Sequence, residues 1–213
     1  MIGIFGGTFD PVHIGHLRPA LELFEILQLD ELRLIPAGIP PHRRAPRASC
    51  AERLFMLRKA IAGQSGFVVD EREIERTGPS YMVDTLGELR AELGEQRPLC
   101  LLLGMDAFLG LSSWHRWQEI PRLAHLVVSH RPGWLPEHLD DHGGPLAELA
   151  DSCLVADPRE LTRKPAGLIF MQPVTQLDIS STRIRALIRE GRNPRYLLPD
   201  EIWNYIQEQQ LYR

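Results

Sequence analysis

The chain has 213 residues, 44% hydrophobic and 24% charged, with a formal net charge of −4. That length suits one large domain with a full apolar core, and the slight acidity removes the broad basic field that general nucleic-acid binding needs. No apolar run approaches the ~20 residues that cross a bilayer, no secretory signal is visible, and three isolated cysteines (Cys50, Cys100, Cys153) build no disulfide framework, so a reducing cytoplasm is expected.

Ile2 to Phe5 is a short apolar run that predicts a strand. After a glycine turn, Leu17, Leu21, Phe24 and Leu27 place an apolar stripe on a helix. Leu32 to Ile35 predicts a second strand, ending at Pro36, and Ala37 to Ser49 is a loop rich in proline and arginine. A helix follows over Ala51 to Ala62, with Ser49 as its N-cap, then a short strand over Phe67 to Val69. Tyr81 to Leu93 predicts a helix capped by Ser80 and stopped at Gly94. Leu99 to Leu103 and Leu126 to Ser129 are buried-strand patterns. Arg131 to Pro165 reads as a surface excursion holding one helix, Pro145 to Leu149. A strand over Gly167 to Met171 and two helices, Ser180 to Arg189 and Asp200 to Gln209, close the order. This β-α alternation argues for a parallel sheet covered by helices.

The stretch from Gly6 to His16, GGTFDPVHIGH, joins the first strand to the first helix. In an open α/β sheet that turn lies where ligands bind. Gly6 and Gly7 let a ligand approach the backbone closely, and the helix start offers N–H groups and a positive dipole end to an anion. His13 and His16, three apart, can turn both imidazoles to one point. Two such donors suit a phosphate whose charge grows in a transition state. The glycines match neither the dinucleotide G-x-G-x-x-G nor the P-loop order. A metal pair or ordinary surface histidines remain alternatives, although no third ligand is evident.

Near the other end, Ser180, Ser181 and Thr182 set hydroxyls at a helix start, and Arg183 and Arg185 add cationic forks suited to phosphate oxygens. A merely capped, basic amphipathic helix would look the same.

His13-Ile14-Gly15-His16 resembles the H-x-G-H signature of the nucleotidyltransferase superfamily, and the longer glycine-histidine run resembles the nicotinate-nucleotide adenylyltransferase family. Ile179 to Arg185 (ISSTRIR) resembles the second signature, I-S-S-T-x-I-R, with Arg185 at its arginine and Arg183 at its variable position. The resemblance implies an α/β fold, a Rossmann-like parallel sheet with helices on both faces and a small C-terminal helical portion. It implies one domain over 1–213, with that portion from about 179 to 213. For ATP it implies contacts at Gly6, Gly7, Thr8, Phe9, His13, His16, Gly104, Asp106, Ile179, Ser180, Ser181, Thr182 and Arg185.

Three more segments resemble the nicotinate branch. Ile35 to Arg43 (IPAGIPPHR) resembles its substrate loop, which would make Arg43 a contact for the mononucleotide phosphate, helped by Arg44 and Arg47. A solvated basic loop is the alternative there. Glu75 to Leu86 resembles E-x-x-x-x-S-Y-T-x-x-T-L, with Met82 in place of the threonine beside Tyr81. That position implies a largely backbone contact to the nicotinate carboxylate. By the same resemblance Trp114 stacks on the pyridine ring, the His115 backbone N–H meets its carboxylate, and Arg131 lies near the substrate phosphate. Trp117 fits ordinary packing.

The implied reaction moves the adenylyl group of ATP to nicotinate mononucleotide, forming nicotinate adenine dinucleotide and pyrophosphate in NAD biosynthesis. It needs no general base and no covalent intermediate, because the acceptor phosphate is already anionic. His13, His16 and Arg185 would carry the catalysis. Mg²⁺ is expected with ATP rather than on a protein metal site, since no cluster of carboxylate ligands is evident. The expected partners are two small molecules, not nucleic acid or membrane. A homo-oligomer is compatible with the sequence, which does not set the state. Sister transferases acting on phosphopantetheine, nicotinamide mononucleotide or CTP, and a non-catalytic nucleotide sensor, are the rival classes.

Overall fold

A computed structural model of the chain describes residues 1–40, 45–130, 145–175 and 177–213. The apolar runs form strands β1 (Ile2–Gly7), β2 (Glu31–Pro36), β3 (Phe67–Val69), β4 (Leu99–Gly104), β5 (His125–His130), β6 (Leu154–Val155) and β7 (Ile169–Pro173). They make one sheet in the order β3-β2-β1-β4-β5-β7-β6, and every described pairing is parallel. β4 (LCLLLG) is an almost unbroken apolar run and β5 (HLVVSH) is buried along its whole length, because both faces of these central strands are covered.

The helices are α1 (Ile14–Ile26), α2 (Cys50–Ala60), α3 (Arg72–Glu75), α4 (Met82–Leu93), α5 (Met105–Leu109), α6 (Ile120–Leu123), α7 (Pro145–Cys153), α8 (Ser181–Arg189) and α9 (Asp200–Glu208). They fall on two sides, in line with the period-2 alternation of strand side chains. Leu32, Leu34, Cys100 and Leu102 share one core with Leu23 of α1, Met56 and Leu57 of α2, Ile184 of α8 and Ile202 of α9. Ile2, Ile4, Leu99, Leu101 and Leu103 share the other with Leu86 of α4, Phe108 of α5, Ile120 of α6 and Leu146 of α7. The C-terminal helices thus belong to the first core.

Local chemistry sets several helix ends. Ser49 caps α2 in a reciprocal box with Glu52, as expected. Gly94, at φ +86°, ends α4. Ser80 is not the cap of α4; Tyr81 holds that position without a side-chain bond. The Ser80 hydroxyl instead accepts the backbone N–H groups of Gly38 (3.0 Å) and Ile39 (3.3 Å), a distant use that overrides the local preference. The helix expected from Pro145 to Leu149 continues to Cys153 and leads into β6 at the sheet edge.

The order of strands creates a switch point between β1 and β4, where the chain changes direction across the sheet. These two strands pair only from Ile2↔Leu99 to Ile4↔Leu101. β1 stays paired with β2 as far as Gly7↔Pro36, and β4 with β5 as far as Gly104↔Ser129. The carboxyl ends of β1 and β4 therefore part, which opens the crevice where such sheets bind ligands. Among the described residues no helix is long and apolar enough to cross a membrane.

Candidate active site

The glycine turn leaves β1 at this split. Its carbonyls are held by the protein. Gly7 O accepts Ala37 N (2.9 Å), Thr8 O accepts Arg53 Nη1 (2.8 Å), Asp10 O accepts Arg185 Nη1 (2.6 Å), and Pro11 O accepts Ser181 Oγ (2.9 Å). Phe9 has φ +49° and a buried ring that meets Phe5 and His16 edge-on. A Cβ at Gly7 would lie 2.9 Å from that ring, so only glycine fits.

His13 is the N-cap of α1 and His16 sits one turn in. Their rings stack, with centroids 3.6 Å apart and planes 22° apart. The His13 N–H donates to His16 Nδ1 (3.3 Å), so a neutral His16 carries its proton on Nε2. Burial pushes the His13 imidazole down to about 4, and its Nδ1 has no hydrogen-bond partner among the described residues. Gly15 lies between the two signatures. A Cβ there would be 3.1 Å from His13 Nδ1 and 3.2 Å from the Ile179 carbonyl.

The second signature docks on the first through α8. Ser180 caps the helix by accepting Arg183 N (3.2 Å), and Arg183 itself is exposed. Thr182 Oγ1 accepts Arg185 Nη2 (3.2 Å), which braces the guanidinium that holds Asp10 O. Asp10 ties further segments together. Its carboxylate accepts Arg47 N (2.8 Å), Ala48 N (3.1 Å) and the Tyr212 hydroxyl (2.8 Å), with Arg185 Nη1 at 3.7 Å.

On the other core's side, the Tyr81 ring stacks on His115 at 4.2 Å. The Met82 methyl lies against Gly6, 2.6 Å from where a Cβ would stand. Trp114 is half-buried, and its backbone N–H donates to Leu111 O (2.9 Å). Gly104 ends β4 with open space on its Cβ side, and Asp106 is exposed in the first turn of α5. Beside Gly38, buried Glu73 accepts Thr85 Oγ1 (2.7 Å), and burial raises its carboxyl above the ordinary range. Among the described residues no group of three or more His, Cys, Asp or Glu side chains is placed to hold a metal ion.

The structure thus brings Gly6 to Phe9, His13, His16 and Ile179 to Arg185 together, and Met82 joins them at Gly6. The expected contacts Arg43 and Arg131 lie outside the described residues, as does Arg44. Arg47 is described and serves Asp10 through its backbone. Four residues escaped the sequence reading as site elements: Asp10, Arg53, Glu73 and Tyr212. Arg53 carried a signal, since it shares the buried i, i+3, i+4 spacing of Met56 and Leu57 on α2.

Residues 4–187 match the cytidylyltransferase-like family. A protein of Methylococcus capsulatus named probable nicotinate-nucleotide adenylyltransferase is 51% identical over 213 residues, covering 100% of this chain and 99% of its own. One of the same name from Aeromonas hydrophila subsp. hydrophila is 52% identical over 212 residues, covering 100% and 97%. Among solved structures, Plasmodium falciparum nicotinic acid mononucleotide adenylyltransferase complexed with NaAD aligns with a TM-score of 0.72 at 15% identity, over 99% of this chain and 96% of that one. That likeness speaks for the fold, whereas the identities near one half over whole chains speak for descent. The chain belongs to the cytidylyltransferase-like family and, within it, to the nicotinate-nucleotide adenylyltransferases, a group of nucleotidyltransferases.

Proposed function

We propose that the protein transfers the adenylyl group of ATP to nicotinate mononucleotide, releasing pyrophosphate, as a step of NAD biosynthesis. The observation that carries this reading is the docking of α8 on the glycine turn at the β1–β4 split, through Arg185 Nη1 and Asp10 O. It sets the arginine of one signature beside the histidines of the other, as a clamp around a triphosphate requires.

In this reading the acceptor phosphate attacks the α-phosphorus in line, and pyrophosphate leaves opposite. His13 and His16 donate to the α-phosphate oxygens as charge grows there, and Arg185 with the start of α8 holds the leaving pyrophosphate. Two of the five Arg185 donors are spent on Asp10 O and Thr182, which orients the remainder. His13 is neutral in the free protein, so it acts there as a hydrogen-bond donor rather than a fixed charge. Gly104 and Asp106 take the ATP ribose. Tyr81, Met82, Trp114 and the His115 backbone take the nicotinate ring and carboxylate, with Arg43 and Arg131 on the acceptor phosphate. The described residues build no cage for a resident cation. Mg²⁺ enters with ATP, as part of the substrate. A cytoplasmic setting goes with this reading.

Pyrophosphate release from ATP, with nicotinate mononucleotide, nicotinamide mononucleotide and phosphopantetheine supplied in turn, tests the reading. Turnover should be greatest with the first. Preference for another acceptor, or ATP binding without release, would reject it.

A further inference from the structure

We propose that Arg53 is a positioning residue for the nucleotide: its guanidinium holds the Thr8 carbonyl and thereby aims the Phe9 amide at an ATP phosphate. This rests on the reading that the glycine turn binds ATP.

Arg53 has no solvent exposure, yet no carboxylate pairs with it among the described residues. Nη1 donates to Thr8 O (2.8 Å), Nη2 to Cys50 Sγ (3.3 Å), and Nε has no partner. Burying a guanidinium this way is unfavourable, and an apolar side chain of similar volume usually packs better. Core packing therefore does not account for a cation here.

Peptide geometry supplies the account. The Thr8–Phe9 peptide is planar and trans, so its C=O and N–H point in opposite directions. With the carbonyl bound to Arg53 on the α2 side, the Phe9 N–H faces away from that helix. No acceptor meets this N–H among the described residues. Phe9 also keeps φ +49°, a conformation unfavourable for a phenylalanine unless its surroundings hold it. Arg53 on the carbonyl and His16 and Phe5 on the ring supply that hold. On the opposite side Arg185 and Ser181 take the Asp10 and Pro11 carbonyls. The carbonyls of Gly7, Thr8, Asp10 and Pro11 are thus each turned to a protein donor rather than toward a phosphate. The weakly screened Arg53 charge beneath the turn also favours an anion above it.

The test compares Arg53→Met and Arg53→Lys with the unaltered chain by calorimetric titration of ATP and of nicotinate mononucleotide. Loss of an aimed amide and a buried charge should weaken ATP about 10-fold or more in Arg53→Met, with the mononucleotide within about twofold. Arg53→Lys, which can still reach a carbonyl, should recover part of the loss. A folded Arg53→Met with ATP affinity within about twofold of the original, or with equal losses for both ligands, overturns the proposal. A second measurement needs no variant: on adding ATP to the ¹⁵N-labelled chain, the Phe9 amide proton should move downfield. An unmoved Phe9 amide in a saturated protein overturns it too. Absent pyrophosphate release by the unaltered chain would sink the functional reading alone, because the ATP titrations do not depend on the acceptor.

Discussion

The Tyr212 hydroxyl donates to Asp10 Oδ1 across 2.8 Å, joining the last residues of the chain, which pack on the first core, to the loop that follows β1. Asp10 is a buried carboxylate whose other described donors are two backbone N–H groups and a more distant Arg185. Tyr212→Phe removes one donor while keeping the ring. A hydrogen bond to a charged group is worth about 1.5–3 kcal/mol, and the variant should lose stability on that scale. Urea denaturation measures it. An unchanged midpoint and slope would show that the bond contributes nothing.

Stability should also fall on mild acidification. Burial holds His13 down to about 4, against an ordinary 6.5, and lowers His125 as well. His125 is committed on both nitrogens, Nε2 to Lys164 O and Nδ1 to Leu168 N, which suits a neutral ring. Below pH 6.5 the unfolded chain takes up protons that the folded chain refuses. The contribution of His13 is therefore whole above about 6.5 and is lost as pH falls toward about 4. It amounts to about 3 kcal/mol at most. His13→Asn, which keeps a good N-cap residue, should flatten the profile across that window. Parallel melting profiles for the two proteins would contradict the assignment.

Catalysis and recognition should separate by residue. His16→Ala should reduce kcat by on the order of 10² or more, the usual cost of a lost transition-state donor. Trp114→Ala should raise KM for nicotinate mononucleotide and spare that for ATP. Initial-rate kinetics with each substrate varied decides both cases. Near-normal kcat in the first, or equal KM changes in the second, would refute the roles.

Gly6 and Gly38 should respond differently to alanine. A Cβ at Gly6 meets only the flexible end of Met82, so Gly6→Ala should be tolerated, and Met82→Ala added to it should relieve what strain there is. A Cβ at Gly38 falls 2.2 Å from the Glu73 carbonyl, which is backbone and cannot swing away. Gly38→Ala should cost about 1–3 kcal/mol or more, as overpacking does. Thermal melts of the three variants give the comparison, and a Gly38→Ala protein as stable as Gly6→Ala would contradict it.

What could be read in advance follows from the range of the forces involved. β4 and the Leu126–Val128 centre of β5 were legible because apolar runs are written locally. β6 and the short α3, α5 and α6 were not, since two to five residues hold too little periodicity to detect. Ser80 misled because a serine before a helix is a favoured cap, while its real partners lie 42 and 41 residues away. In the site the two signatures were plain, because their hydroxyls, imidazoles and arginines sit close together in the chain. The roles of Asp10 and Arg53 were hidden, because each is defined by partners on other elements: Arg47, Ala48 and Tyr212 for the first, Thr8 for the second.

The carbonyl bonds of the glycine turn have a consequence for how the protein is made. Asp10 and Pro11 receive donors from residues 175 and 170 positions later, and the Asp10 carboxylate one from 202 positions later. A ribosome releases the turn long before these partners exist. β1, β2 and β3 can assemble early, but the turn beside them keeps unmet carbonyls until α8 and Tyr212 emerge. The phosphate site is thus among the last parts of the molecule to settle, and incomplete chains are born without it.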